Sequence, residues 1–204
     1  SKDGSKILDD VHIDDLISPS NEFVDFNVNS IIEKSDIRKE DVSSYGVKAE
    51  VIDSSKMPTR IGHQLVLGGG GLESSINVVL NNPNKFIPEG RKSLKWGQIV
   101  MGGGFNSFVG FAADSKENQE IEGHDINIVY YNKTGKIKEK NVNMINGTSL
   151  KFSAEQELQD VVDFEKLEKP DYIWCTAESE KHGLNFYACA KNKQTMHCSG
   201  DHGF

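Results

Sequence analysis

From Glu22 onward the apolar residues recur mostly at every second position. Val24, Phe26 and Val28 alternate with Asp25, Asn27 and Asn29, and Tyr45, Val47, Ala49 and Val51 repeat the pattern. A period of two places one side chain set on each face of an extended chain, so these segments predict strands with one dry face. Between them, residues 30–42 are charged and have room for a turn of helix.

Two related stretches follow. Gln64-Leu65-Val66-Leu67 runs into Gly68-Gly69-Gly70-Gly71, and Gln98-Ile99-Val100-Met101 runs into Gly102-Gly103-Gly104. Each is followed by further alternation: Leu72, Ser74, Ile76, Val78 and Leu80 in the first, Phe105, Ser107, Val109, Phe111 and Ala113 in the second. The likeness raises a structural repeat, although two strand–glycine–strand units also arise in any hairpin-rich chain. A phosphate cradle fits neither. No Gly-Lys-Ser/Thr closes either run, the third glycine of a dinucleotide fingerprint is replaced by Glu73 or Ser107, and strands rather than helices follow. The glycines are expected to supply positive φ or close backbone approach.

Over residues 124–152 the pattern predicts a three-stranded antiparallel meander. Ile126, Ile128 and Tyr130 alternate, Asn132 to Gly135 form a loop, residues 136–145 return, and Asn146-Gly147 suits a type I′ turn into residues 148–152. One helix is clear, near 154–168. Ser153 and Gln156 have capping-box spacing, Leu158, Val161, Val162 and Leu167 form an apolar stripe, and Pro170 stops it. The fold class is therefore mainly β, at the margin of α+β: an antiparallel β-sandwich or irregular barrel with that one helix. A single β-rich domain over 1–204 is expected, with 1–20 a loosely ordered acidic segment. Its aspartates around His12 match no calcium-loop spacing.

Charge narrows the partners. A formal net charge of −8 argues against phosphate-backbone binding, hence no nucleic acid, and against anionic membrane surfaces. No apolar run approaches the ~20 residues of a transmembrane segment. The chain starts at Ser1 without Met, which fits a mature form with a leader removed and equally a piece cut from a longer sequence. A lipidated cysteine directly upstream of Ser1, as in a surface lipoprotein, is one expectation.

The C-terminal stretch concentrates the reactive side chains. Residues 171–180 and 184–190 read as strands joined by Lys181-His182-Gly183. Pairing Glu180 with Leu184 would set Cys175 opposite Cys189, and a turn at Lys193-Gln194 would set Cys189 opposite Cys198. Cys175, Cys189 and Cys198 are thus disulfide candidates, with one thiol left over, and a disulfide implies an oxidising compartment. Zinc could take Cys189, Cys198 and His202 with either Cys175 or His197. No Cys-x2–4-Cys pair supports it, and neighbouring strand residues point to opposite faces. A Cys198–His202 nucleophile pair would sit on a chain end that frays. No catalytic residue and no cofactor is assigned.

Trp96, Trp174 and Tyr187, with Tyr130, Tyr131 and Tyr172, could line a sugar or peptide groove. Strand aromatics more commonly fill cores. The resulting expectation is an extracellular, cell-surface or periplasmic non-catalytic module for adhesion or host interaction, with a protein or glycan ligand. The alternatives are a structural subunit of a virion, tail or secretion assembly, and a zinc-dependent hydrolase using the C-terminal Cys/His cluster.

Overall fold

Segments with one apolar face must bury it against a second layer, and two sheets supply each other's cover. The computed structural model describes residues 7, 26–42, 45, 64–69, 72–77, 92–113, 123–145, 148–180 and 184–203. The strands are β1 (Gln64–Gly69), β2 (Leu72–Asn77), β3 (Ser93–Met101), β4 (Phe105–Ala113), β5 (Gly123–Asn132), β6 (Gly135–Ile145), β7 (Ser149–Ser153), β8 (Asp171–Ser179), β9 (Leu184–Asn192) and β10 (Cys198–His202). The helices are α1 (Val28–Lys34) and α2 (Ala154–Leu158). β1 and β2 make an antiparallel ribbon. Two four-stranded antiparallel sheets run β10-β9-β4-β7 and β3-β8-β5-β6. The architecture is mainly β and sandwich-like, as the alternation predicts.

The core lies between these sheets. Ile99 and Met101 of β3, Ile126, Ile128 and Tyr130 of β5, and Ile173, Cys175 and Ala177 of β8 share one cluster with Val109 and Phe111 of β4 and Leu184 and Phe186 of β9. Each Ile, Val, Leu, Met and Phe among them contributes about 1.5–3 kcal/mol by leaving water. Phe111 meets Phe186 edge-on at 5.2 Å between ring centres. The Phe186 ring fills a slot made by two glycines: a Cβ built on either Gly97 or Gly203 would lie 2.2 Å from a ring carbon.

The Gly102–Gly104 turn carries the chain from one sheet to the other. All three residues have positive φ, at 73°, 55° and 84°, which only glycine adopts without strain. β3 and β4 pair solely through Gly102 and Phe105 at this turn. β1 and β2, by contrast, pair along their whole length. The two similar sequence stretches are thus built differently.

Two of the four sheet edges, β3 and β6, are blunted by polar side chains. β3 is an edge, and buried Ser107 of β4 serves it: its Oγ accepts from the Val100 N–H at 3.0 Å and donates to the Val100 carbonyl at 2.6 Å. At the opposite edge, β6 turns Lys138 and Lys140 inward. Lys140 donates to Glu157 of α2 at 2.6 Å and lies 3.6 Å from the centre of the Phe152 ring. Lys138 donates to the Glu157 carbonyl and, at 2.8 Å, to Asp160. The lysine stems cover apolar surface while their heads meet carboxylates.

Several local expectations change in this frame. The meander stops after two strands. β5 and β6 form the hairpin, but β7 joins β4 in the facing sheet. There Leu150 pairs with Phe111 and Phe152 with Val109, so the apolar side of β7 reaches the core. Of the strand expected through Val24, Phe26 and Val28, the part before Phe26 lies outside the described residues, and Val28 begins α1 instead. Asn27 caps this helix, its side chain accepting from the Ser30 N–H at 3.1 Å. Asp36, at φ 56°, ends that helix in the left-handed region.

The clear helix begins after Ser153 as expected, but its Ser153 side chain makes no capping bond. Asn106 of β4 caps it instead, accepting from the Glu155 N–H at 3.3 Å and donating to Ser153 Oγ at 3.1 Å. The regular α turn ends at Leu158, and a 3-10 turn follows at Phe164–Lys166. The expectations for residues 1–20, apart from exposed Ile7, and for the strand through residues 47–51 lie outside the described residues.

Candidate functional site

β8 and β9 do not pair with each other. β8 lies between β3 and β5, and β9 between β4 and β10. Turn chemistry identifies one neighbour, whereas each of these strands gains a ladder on both sides by entering opposite sheets. Cys175 accordingly pairs with Gly97 and Tyr130, not with Cys189. The β9–β10 turn is also longer than expected. Asn192 Oδ1 accepts from the N–H groups of Gln194 and Thr195, both at 2.9 Å, and Met196 takes φ 64°. Two residues are thereby added to the turn. Cys189 stands opposite Gly200 and Cys198 opposite Lys191, so these two cysteines are diagonal neighbours on one face.

All three cysteines are unbridged. Burial pushes the Cys175 thiol up to about 12, and burial with the adjoining Cys198 thiol pushes Cys189 up to about 11. Burial, then the neighbouring Cys175, also raises Tyr130. These shifts hold thiols protonated, the reverse of what nucleophilic or metal-binding sulfur requires. His202 pairs with Tyr187 on β9, and its ring lies 2.9 Å from the Asp201 carboxylate. Among the described residues no three His, Cys, Asp or Glu side chains converge to hold a metal. The candidate ligand set Cys189, Cys198 and His202 shares a face without forming a coordination shell.

The raised thiols have a stability consequence. A group whose pKa is higher when folded keeps its proton as the unfolded chain loses it, so stability falls as pH rises above the unfolded value. The Cys175 reference value is 9.0. The urea midpoint is therefore expected to be flat from pH 7 to 8.5 and to fall between pH 9 and 11. Cys175 contributes at most about 1.4 kcal/mol per pH unit. Cys175→Ala should flatten part of that decline, and an unchanged slope in this variant would remove Cys175 as a cause.

The aromatic candidates separate cleanly. Trp96 on β3 and Trp174 on β8 both point away from the core, 41% and 43% exposed, with ring centres 5.4 Å apart and planes tilted by 59°. Strand parity explains this: Gly97, Ile99 and Met101 alternate inward on β3, as do Ile173, Cys175 and Ala177 on β8. Exposed Leu94 and Tyr172 extend the same face. Tyr131 pairs with Trp174 and is half-buried there. Tyr187 lies on the outer face of the other sheet, paired with Gly110 and His202, so it does not join the tryptophans. Tyr130 is wholly buried. Leu94 was not among the sequence candidates, yet the Leu94-Trp96-Gln98 alternation carries the signal.

Polar groups border this strip. On β5 and β6 the same outer face presents Asp125, Asn127, Glu139, Asn141 and Asn143. Asn127 Nδ2 donates to Glu139 and Asn141, both at 2.9 Å, and Asn143 Nδ2 donates to Asp125 at 3.0 Å. Gln98, paired with Trp174, is exposed. The outer face of this sheet therefore displays two indoles on β3 and β8 and a row of amides and carboxylates on β5 and β6. Comparison with protein-family models, curated proteins and solved structures returns no match for this chain. What stands defined is a β-sandwich-like module with an aromatic outer face. No described helix is long and apolar enough to cross a membrane.

Proposed function

We propose that this chain is a non-catalytic extracytoplasmic binding module, of adhesion or host-interaction type, whose ligand face is the outer surface of β3-β8-β5-β6. One observation carries the reading. Two tryptophans sit side by side and solvent-exposed on a rigid sheet, flanked by exposed Leu94 and Tyr172. Large exposed aromatics gathered in one place mark binding surfaces, and their fixed backbone lowers the ordering cost of association. The protonated thiols of Cys175 and Cys189 disfavour those two residues as nucleophiles.

Fluorescently labelled protein is expected to bind intact epithelial or bacterial cells saturably. The Trp96→Ala/Trp174→Ala variant should bind at least tenfold more weakly, because aromatic anchors dominate such interfaces. Equal binding by the two proteins would sink the assignment.

The proposed location outside the cytoplasm rests on the diagonal placement of Cys189 and Cys198 on one face of adjacent strands. With oxidised glutathione as the oxidant, these two thiols are expected to close a disulfide while the reagent is reduced to two thiols. The protein mass falls by two hydrogens, and Cys175 remains alkylatable after unfolding. Diagonal strand neighbours sit near the long end of disulfide spacing. A gain of about 2 kcal/mol is expected, a little under the chain-entropy value for so short a loop. Peptide mapping that finds Cys175 in the bridge would refute the pairing.

A further inference from the structure

We infer that the Trp96–Trp174 face binds a neutral glycan, stacking the apolar side of a pyranose ring on the indoles. This rests on the reading of the face as a ligand surface and adds the ligand's chemical class. Three features of the face select that class over others.

The first is the indole geometry. The rings are tilted by 59° rather than stacked, and each stays more than two-fifths exposed, so neither hides the other. An indole face is electron-rich and attracts the weakly positive C–H bonds on one side of a sugar ring. The second is the border. A sugar stacked on Trp174 presents its hydroxyl rim sideways, toward exposed Gln98 on β3 and, past Tyr131, toward the Lys136–Glu139 pair on β6, with Asn127 and Asn141 farther along the same face beside Glu178. Amides and carboxylates together supply both donors and acceptors, which hydroxyl groups need.

The third is charge. Asp125, Glu139, Glu178 and Glu180 lie on or beside this face, against Lys92 and Lys136, which are themselves paired with Glu178, Glu180 and Glu139. The cations are therefore already neutralised, and the surplus is negative, in line with the net charge of −8. Sulfated or sialylated glycans would be repelled. A protein partner would need a much broader patch, since stable interfaces bury roughly 1,200–2,000 Å² in total. The apolar strip here is four side chains long and bounded by charge.

The test uses the full chain against immobilised probes, with folding of each variant confirmed by an unchanged unfolding midpoint. The neutral probes are hexasaccharides of glucose, mannose, galactose and N-acetylglucosamine. The anionic probes are a heparin octasaccharide and sialyllactose, and the protein probes are deglycosylated collagen and fibronectin. At least one neutral hexasaccharide should bind and quench tryptophan fluorescence. Trp174→Ala should weaken that binding tenfold or more, Trp174→Phe should retain most of it, and the anionic probes should stay unbound. Trp-dependent binding to a protein probe alone, or a Trp-dependent dimer in sedimentation, would overturn the glycan class and leave the face a binding surface. Absence of Trp-dependent binding to every probe would overturn both.

Discussion

Gly97→Ala is expected to lower the unfolding free energy by about 2–3 kcal/mol, a large change for the addition of one buried methyl. The added Cβ would stand 2.2 Å from Phe186 Cε1, inside the contact distance of any two carbons. Phe186 cannot easily retreat. It is 1% exposed, meets Phe111 edge-on, and is bordered along the same ring edge by Gly203, where a Cβ would lie 2.2 Å from Phe186 Cδ1. Gly203 is held there by its N–H, which donates to the Phe186 carbonyl at 2.6 Å. The two glycines and one ring thus act as a single packing unit joining β3, β9 and the chain after β10.

Phe186→Ala should cost about 3–5 kcal/mol through the cavity it leaves. The diagnostic measurement is a double-mutant cycle in urea. Gly97→Ala combined with Phe186→Leu should be less destabilised than the sum of the single changes, because the smaller side chain frees the room the methyl needs. Strict additivity would show that the glycine contributes nothing through this ring.

Ser107→Ala is the second large effect, at about 2–3 kcal/mol. The Ser107 hydroxyl satisfies both the N–H and the C=O of Val100, on the side of β3 that has no strand neighbour. Removing it orphans two backbone groups beside the core, each costing roughly 1–3 kcal/mol less any solvent that enters. Hydrogen exchange offers a local readout. The Val100 amide should exchange far faster in Ser107→Ala, while the amides of Ile126 and Ile128 in the sheet centre keep their protection apart from the global loss. A protected Val100 amide in this variant would place its partner elsewhere.

Much of the fold is written in residue alternation. The parity of Ile99 and Met101, of Ile126, Ile128 and Tyr130, and of Ile173, Cys175 and Ala177 assigns the inward faces correctly, because a pleated strand leaves side chains only two directions. The same parity puts Trp96 and Trp174 outside. Turn residues were legible too: Gly135 at the β5–β6 hairpin and Gly102 to Gly104 at the sheet crossing occupy positive φ. The burial of Ser107 was not legible, since nothing local says that a hydroxyl will complete a neighbouring strand's edge.

Which strands become neighbours was decided by tertiary structure. Lys181-His182-Gly183 has hairpin composition, yet β8 and β9 enter opposite sheets, and Asn146-Gly147 stands between strands that also separate. A turn signal constrains only the few residues that form it, while a strand's partners are chosen by the summed burial and ladder bonds of the whole assembly. For the same reason the capping of α2 passes from Ser153 to Asn106, a residue brought near only when β7 pairs with β4. The sequence by itself determined strand, face and compositional class. Packing between sheets determined register, neighbours and the meeting of Trp96 with Trp174, because those depend on residues far apart in the chain whose contacts no local pattern encodes.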